Sequence, residues 1–259
     1  MNNMEIFEEA RSYLLSFDVV TKRMLNRHLA FPFSRKPKNI PELYFALISH
    51  ATNRQGMANY IGKIEKLSKV LFNFNPQEVC KVYTQWGMIF DIVQEKVKPP
   101  GKMEKSNNHN SWVIYSKTIL SAARYANRFN SIRAFYKYID QFITQSADTR
   151  IALPLLLKEE IDGFGFALAC DFLKENISPL FVKPDTHIRD IFIGIGKSEN
   201  DASDFEIFRD VIAFSESIKK SPYEVDKLFW LIGSGNFYYV DTIIKSDKRK
   251  YIKIVNGDL

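Results

Sequence analysis

"IDGFGFALACDFLKENISPLFVKPDTHIRDIF", residues 161–192, combines a two-glycine break, an apolar run and an isolated Pro-Asp-Thr-His. Ahead of the break "LPLLLKEEI" is apolar at helical spacing, and behind it "FALACDFLKE" resumes that period. The pattern predicts two helices joined by a very short hairpin, with Gly163 and Gly165 making the turn. With two Cβ atoms missing, backbone N–H groups and the second helix's N-terminus can face outward, where free donors and partial positive charge suit a phosphate. An ordinary αα-turn that needs glycine only for a positive φ fits the same letters.

Working outward, helix signals recur along the chain. "NIPELYFALISHA" places Asn39 as an N-cap, Pro41 in the first turn and Leu43, Leu47, Ile48 and Ala51 on one stripe. After Gly56, the positions Met57, Tyr60, Ile61, Ile64, Leu67 and Leu71 continue the helical period. Asn75, Pro76 and Glu78 announce the next start, and "SWVIYSKTILSAARYANRF" and "SIRAFYKYIDQFI" follow as helices. Ser203 with Glu206, and Ser221 with Glu224, have capping-box spacing, and Gly233 ends the second of those helices. "KVKPPGKMEKSNNHN" lacks apolar periodicity and reads as a loop with solvated lysines. "RKYIKIV" near the C-terminus reads as a short strand or a frayed tail. The expected class is all-α.

Composition agrees with a packed helical protein. The 259 residues are 46% hydrophobic and 14% aromatic, with 21 Phe and 12 Tyr, enough for a sizeable core. The net charge of +6 and pI near 9.1 lean toward polyanionic partners, without separating nucleic acid from anionic lipid. Only Cys80 and Cys170 are present, which excludes a disulfide framework, a four-thiolate zinc site and a four-cysteine iron–sulfur cluster, and fits a reducing compartment. The N-terminus carries acids where a secretory signal needs bases, and no apolar run approaches a membrane span, so a cytoplasmic protein without membrane contact is expected.

The glycine turn and the aspartate together resemble the helix-hairpin-helix DNA glycosylase superfamily, which includes endonuclease III. Its hairpin reads roughly L-P-G-V-G and is followed by V-D-T-H; the matching residues are Ile161, Asp162, Gly163, Phe164 and Gly165, then Pro184, Asp185, Thr186 and His187. The departure is Asp162, a carboxylate where the family has proline. The resemblance extends more loosely over residues 40–240.

The resemblance implies two helical subdomains with the active-site cleft between them. One is a central bundle over residues 40–182 that includes the hairpin at about 150–175; the other is formed by 1–39 and 183–259. It implies that Asp185 is the catalytic aspartate and that Gly163, Phe164, Gly165 and Ala167 meet the DNA backbone. Ala167 stands where lyase-competent members carry lysine, and its separation from Asp185 equals the endonuclease III spacing. Without a nucleophile there, the expected enzyme is a monofunctional glycosylase that uses water. Lys183 is a weaker alternative nucleophile.

The chemistry explains the aspartate. A glycosylase flips its target nucleotide and breaks an N-glycosidic bond through an oxocarbenium-like transition state, so an ionised carboxylate can stabilise the sugar or activate water. After Pro184, Asp185 should N-cap "THIRDIFIGI", where the helix dipole favours an anion; a plain N-cap is the non-catalytic reading of the same position. The wedge that fills the vacated stack is expected among His50, Asn53, Arg54 and Gln55, and base-pocket aromatics among Trp112, Tyr115 and Tyr125, which also suit core packing.

No metal or organic cofactor is expected, apart from the structural monovalent cation that hairpin carbonyls hold in the family. The expected partner is duplex DNA with a damaged or mismatched base, and the expected state a monomer. Alkylated purines suit a site without an evident general acid. The rival reading is a non-catalytic DNA-binding protein that keeps the hairpin as a phosphate clamp.

Overall fold

The computed structural model describes residues 1–54, 57 and 61–258. The described chain is helical, and its strands are two residues each: β1 (Asn236–Phe237) pairs antiparallel with β2 (Thr242–Ile243). Two compact units divide it: residues 35–172, and residues 1–34 together with 173–259.

The first unit contains α3 (Ile40–Ala51), α4 (Pro76–Val82), α5 (Trp86–Ile92), α6 (Ser111–Asn127), α7 (Ile132–Ile143), α8 (Ala147–Glu160) and the start of α9 (Phe166–Asn176). α6 is its axis. Val113, Tyr115, Ile119, Ala122, Ala123 and Ala126 on it are all sealed from solvent, so it is apolar nearly all round, as a helix surrounded by neighbours must be. Helices α3, α4 and α5 pack on it. Their starts follow the sequence signals: Asn39 Oδ1 accepts the Glu42 amide, and Asn75 Oδ1 accepts those of Gln77 and Glu78.

The second unit contains α1 (Asn3–Leu15), α2 (Lys22–Leu29), the end of α9, α10 (Thr186–Gly194), α11 (Asp204–Ser217), α12 (Pro222–Ser234), the β1–β2 hairpin and α13 (Lys248–Asn256). α12 is central, with Tyr223, Val225, Leu228, Phe229, Leu231 and Ile232 unexposed and α1, α2, α10 and α11 against it. Phe192, Phe214 and Phe229 join α10, α11 and α12 through edge-to-face rings 5.4–5.7 Å apart.

Four expectations change. The periodic stretch after Gly56 is no single helix: Gly62 takes a positive φ (+67°) and Lys63 is extended, so Ile64–Leu67 starts afresh as a 3₁₀ turn, and residues 72–74, all of positive φ, close the stretch. Tyr60 lies outside the described residues. "RKYIKIV" is helical, capped by the Asp247 carboxylate on the Arg249 amide, with Tyr251 and Val255 turned inward. Gly233 does not end α12, which stops at Gly235 (φ +66). The boundary between units falls inside α9, between residues 172 and 173, where the sequence reading set it at 183.

Candidate functional site

The hairpin belongs to the first unit. Phe164 N–H donates to the Ile161 carbonyl at 3.1 Å, closing a four-residue turn whose only positive φ is at Gly163 (+81°). That is the pattern of a type II turn, which requires glycine at its third position. Two hydroxyls of α6 fasten it. Thr118 Oγ1 donates to the Asp162 carbonyl at 2.6 Å, and Ser121 Oγ accepts the Asp162 amide at 2.9 Å. A Cβ on Gly163 would lie 2.7 Å from Thr118 Oγ1, so packing and backbone conformation both demand glycine.

Gly165 differs. Its φ is not positive, it is exposed, and a Cβ there would meet nothing within 4 Å. Neither fold strain nor packing within the described residues accounts for a glycine at this place. It stands immediately before α9, where the first amides of a helix have no carbonyl behind them. Arg54 is exposed, and its Nη1 would lie 3.8 Å from a Cβ on Gly163, which sets a guanidinium beside the turn. Phe164 has a different part: its amide is spent inside the turn and its ring is buried, so it plugs the hairpin.

The helix-end residues near the hairpin converge on an acid that the sequence reading did not single out. Asp171 of α9 is buried; Asn53 Nδ2 donates to its Oδ2 at 3.4 Å and His50 Nε2 stands 3.5 Å from the same oxygen. The His50 ring also meets Phe172 edge-on at 5.8 Å. Gln55 lies outside the described residues. Trp112, Tyr115 and Tyr125 are core residues, each at most 2% exposed, and the Tyr115 hydroxyl donates to the Ile48 carbonyl at 3.0 Å.

Asp185 belongs to the second unit and N-caps α10, as its sequence position predicts. Its Oδ1 accepts the amides of His187 at 2.9 Å and Ile188 at 3.1 Å, and Oδ2 has no hydrogen bond among the described residues. The residue is half-buried, so that oxygen is not sealed in the core. Its own amide donates to the Lys183 carbonyl at 2.8 Å, a tight turn around Pro184. Next to it the His187 ring lies flush against Gly233, where a Cβ would come within 2.5 Å, and edge-on to Trp230 at 6.4 Å. Gly233 thus makes room for His187.

Behind this loop lies a buried ionic group. Asp226, wholly unexposed, takes the Lys174 ammonium at 2.6 Å on Oδ1 and the Lys183 amide at 2.6 Å on Oδ2. Lys227 binds Glu175 at 2.6 Å and lies 5.1–5.5 Å from the ring centroids of Tyr223, Trp230 and Tyr238. Burial raises the Asp226 carboxyl's pKa, opposed chiefly by Lys174; burial lowers that of Lys227, as does the like charge of Lys174. Two adjacent charges inside "YEVDKLFWLI" were the sequence signal for this group.

Among the described residues no cluster of three or more His, Cys, Asp or Glu is placed to hold a metal ion, and no helix is long and apolar enough to cross a membrane. Comparisons with protein-family models, with curated proteins and with solved structures gave no match.

Proposed function

We propose that this chain is a monofunctional DNA glycosylase of helix-hairpin-helix type, which flips a damaged base from duplex DNA and hydrolyses its glycosidic bond. The observation that carries the reading is the division of labour in Asp185. One oxygen is committed to two helix amides, which fixes the carboxylate, and the other has no hydrogen bond among the described residues. A second support is Gly165, exposed, unstrained and uncrowded, at the mouth of α9 and two residues on from Gly163, which Arg54 adjoins: a place where a phosphate oxygen can approach backbone amides closely.

In the proposed reaction, Asp185 stabilises the sugar as positive charge grows at C1′ and accepts a proton from the attacking water. The water oxygen bonds to C1′, the C1′–N bond breaks, and its electron pair leaves with the base. A purine alkylated on its ring already carries positive charge and departs without protonation, so it is the substrate class assigned. Ala167 offers no amine, so no Schiff base forms through that position.

Base release from duplexes carrying alkylated, oxidised, deaminated or mismatched bases tests the reading, with wild type set against Asp185→Asn. Release should be fastest from alkylated purines, and the variant should lose at least about a hundredfold in rate. Tight duplex binding with no release from any substrate would instead favour the phosphate-clamp reading.

A further inference from the structure

The large apolar residue of highest fractional exposure among the described residues sits on the β1–β2 hairpin. It is Ile243, 77% exposed, and Val240 in the same hairpin's turn is 36% exposed. Such a side chain on a mobile tail would mean little, but this hairpin is held rigidly. Phe237 is sealed in the core, Ile244 nearly so, and the Ile244 amide donates to the Gly235 carbonyl at 2.9 Å. The Tyr239 amide donates to His28 Nε2 at 3.2 Å, and the His28 Nδ1–H donates to the Met24 carbonyl at 2.8 Å, which fastens the turn to α2.

The surroundings select an occupant. Lys245, two residues on from Ile243, and Arg249 and Lys250 at the start of α13 are exposed cations that follow the hairpin in the chain, and Arg27 lies 5.2 Å from the Tyr239 ring in its turn. Asp241 in the turn is exposed, while Asp247 is committed to capping α13. A self-complementary contact with a second copy would bring these cations together, and strands of two residues are too short to template an added strand. An exposed aliphatic side chain on a strand followed in the chain by cations matches the wedges that separate stacked base pairs in duplex DNA. The hairpin also connects to the Asp185 helix: Tyr238 packs on Trp230 at 5.9 Å, and Trp230 on His187 at 6.4 Å.

We infer that Ile243 is a DNA-inserting residue that enters the base stack at the damaged site. The inference rests on the glycosylase reading for its lesion, but the experiment reads the two separately. The probe is a duplex carrying 2-aminopurine next to a tetrahydrofuran abasic-site analogue; 2-aminopurine brightens when it unstacks. Wild type should raise the fluorescence. Ile243→Ala should abolish the rise and weaken binding by about tenfold, and Ile243→Leu should restore both. Because the side chain is exposed, Ile243→Ala should keep the wild-type circular dichroism and melting temperature.

An unchanged rise in Ile243→Ala, or no rise with wild type, overturns the inference, whatever the base-release assay gives. So does Ile243-dependent binding to phosphatidylserine vesicles without a fluorescence response to DNA. An Ile243-dependent rise with no base released from any substrate leaves the wedge standing and removes the glycosylase reading alone.

Discussion

At Asp185 one oxygen holds the first turn of α10 and the other has no hydrogen bond among the described residues, so two substitutions separate the proposed catalysis from capping. Asparagine caps helices about as well as aspartate, so Asp185→Asn should melt within a degree or two of wild type, about 0.5 kcal/mol at most, while losing base release. Asp185→Ala should lose release as well and cost about 1 kcal/mol of stability by urea denaturation. The hairpin glycines form a second such pair. Gly163→Ala forces a left-handed φ on a side chain that meets Thr118 Oγ1, so we expect destabilisation of about 2 kcal/mol. Gly165→Ala should leave stability within about 0.5 kcal/mol and weaken duplex binding, as a methyl group in open space matters only to something that approaches from outside.

The elements around α12 depend on groups whose charge state is set by burial. His28 is fully buried as a neutral ring that donates from Nδ1 and accepts at Nε2. Its pKa lies below the ordinary 6.5 because burial opposes the charge, as do Lys227 and Arg27, with only the Met24 carbonyl favouring it. The folded state therefore binds this proton less readily than the unfolded chain. Its contribution is fully present above 6.5 and is lost as pH falls through the lowered value. Melting temperatures followed down from neutral pH should drop more steeply for wild type than for His28→Gln, and amide exchange at Tyr239 should accelerate first. Asp226→Ala would take from the buried Lys174 its 2.6 Å carboxylate partner, leaving Glu175 at 3.5 Å, and release the Lys183 amide. A loss of about 3–5 kcal/mol in denaturant unfolding is expected, large enough to reduce folded yield.

Over the whole molecule, whose net charge is +6, the proposed duplex binding should fall steeply between about 50 and about 200 mM salt if several phosphates are contacted. Much of the fold was legible because helix starts are written locally: Asn39, Asn75, Ser203, Ser221 and Asp185 all cap the helices that their spacing announced. The hairpin was legible for the same reason, as Gly163 has to be glycine whatever surrounds it. Contacts between distant segments were not. Nothing near residue 226 in the chain says that its carboxylate will hold the Lys183 amide, and nothing near Gly233 says that it faces His187. The helix expected after Gly56 failed because apolar spacing alone does not register a helix break such as Gly62, whose φ is +67°.

The hydroxyls of Thr118 and Ser121, one helical turn apart on α6, grip the backbone C=O and N–H of Asp162, one from each of its two peptide groups. The glycine turn is consequently no portable cassette. Residues 147–176 grafted onto a foreign scaffold would leave behind the two clamps that shape it, and should regain their form only if the host offers a serine and a threonine at that pitch.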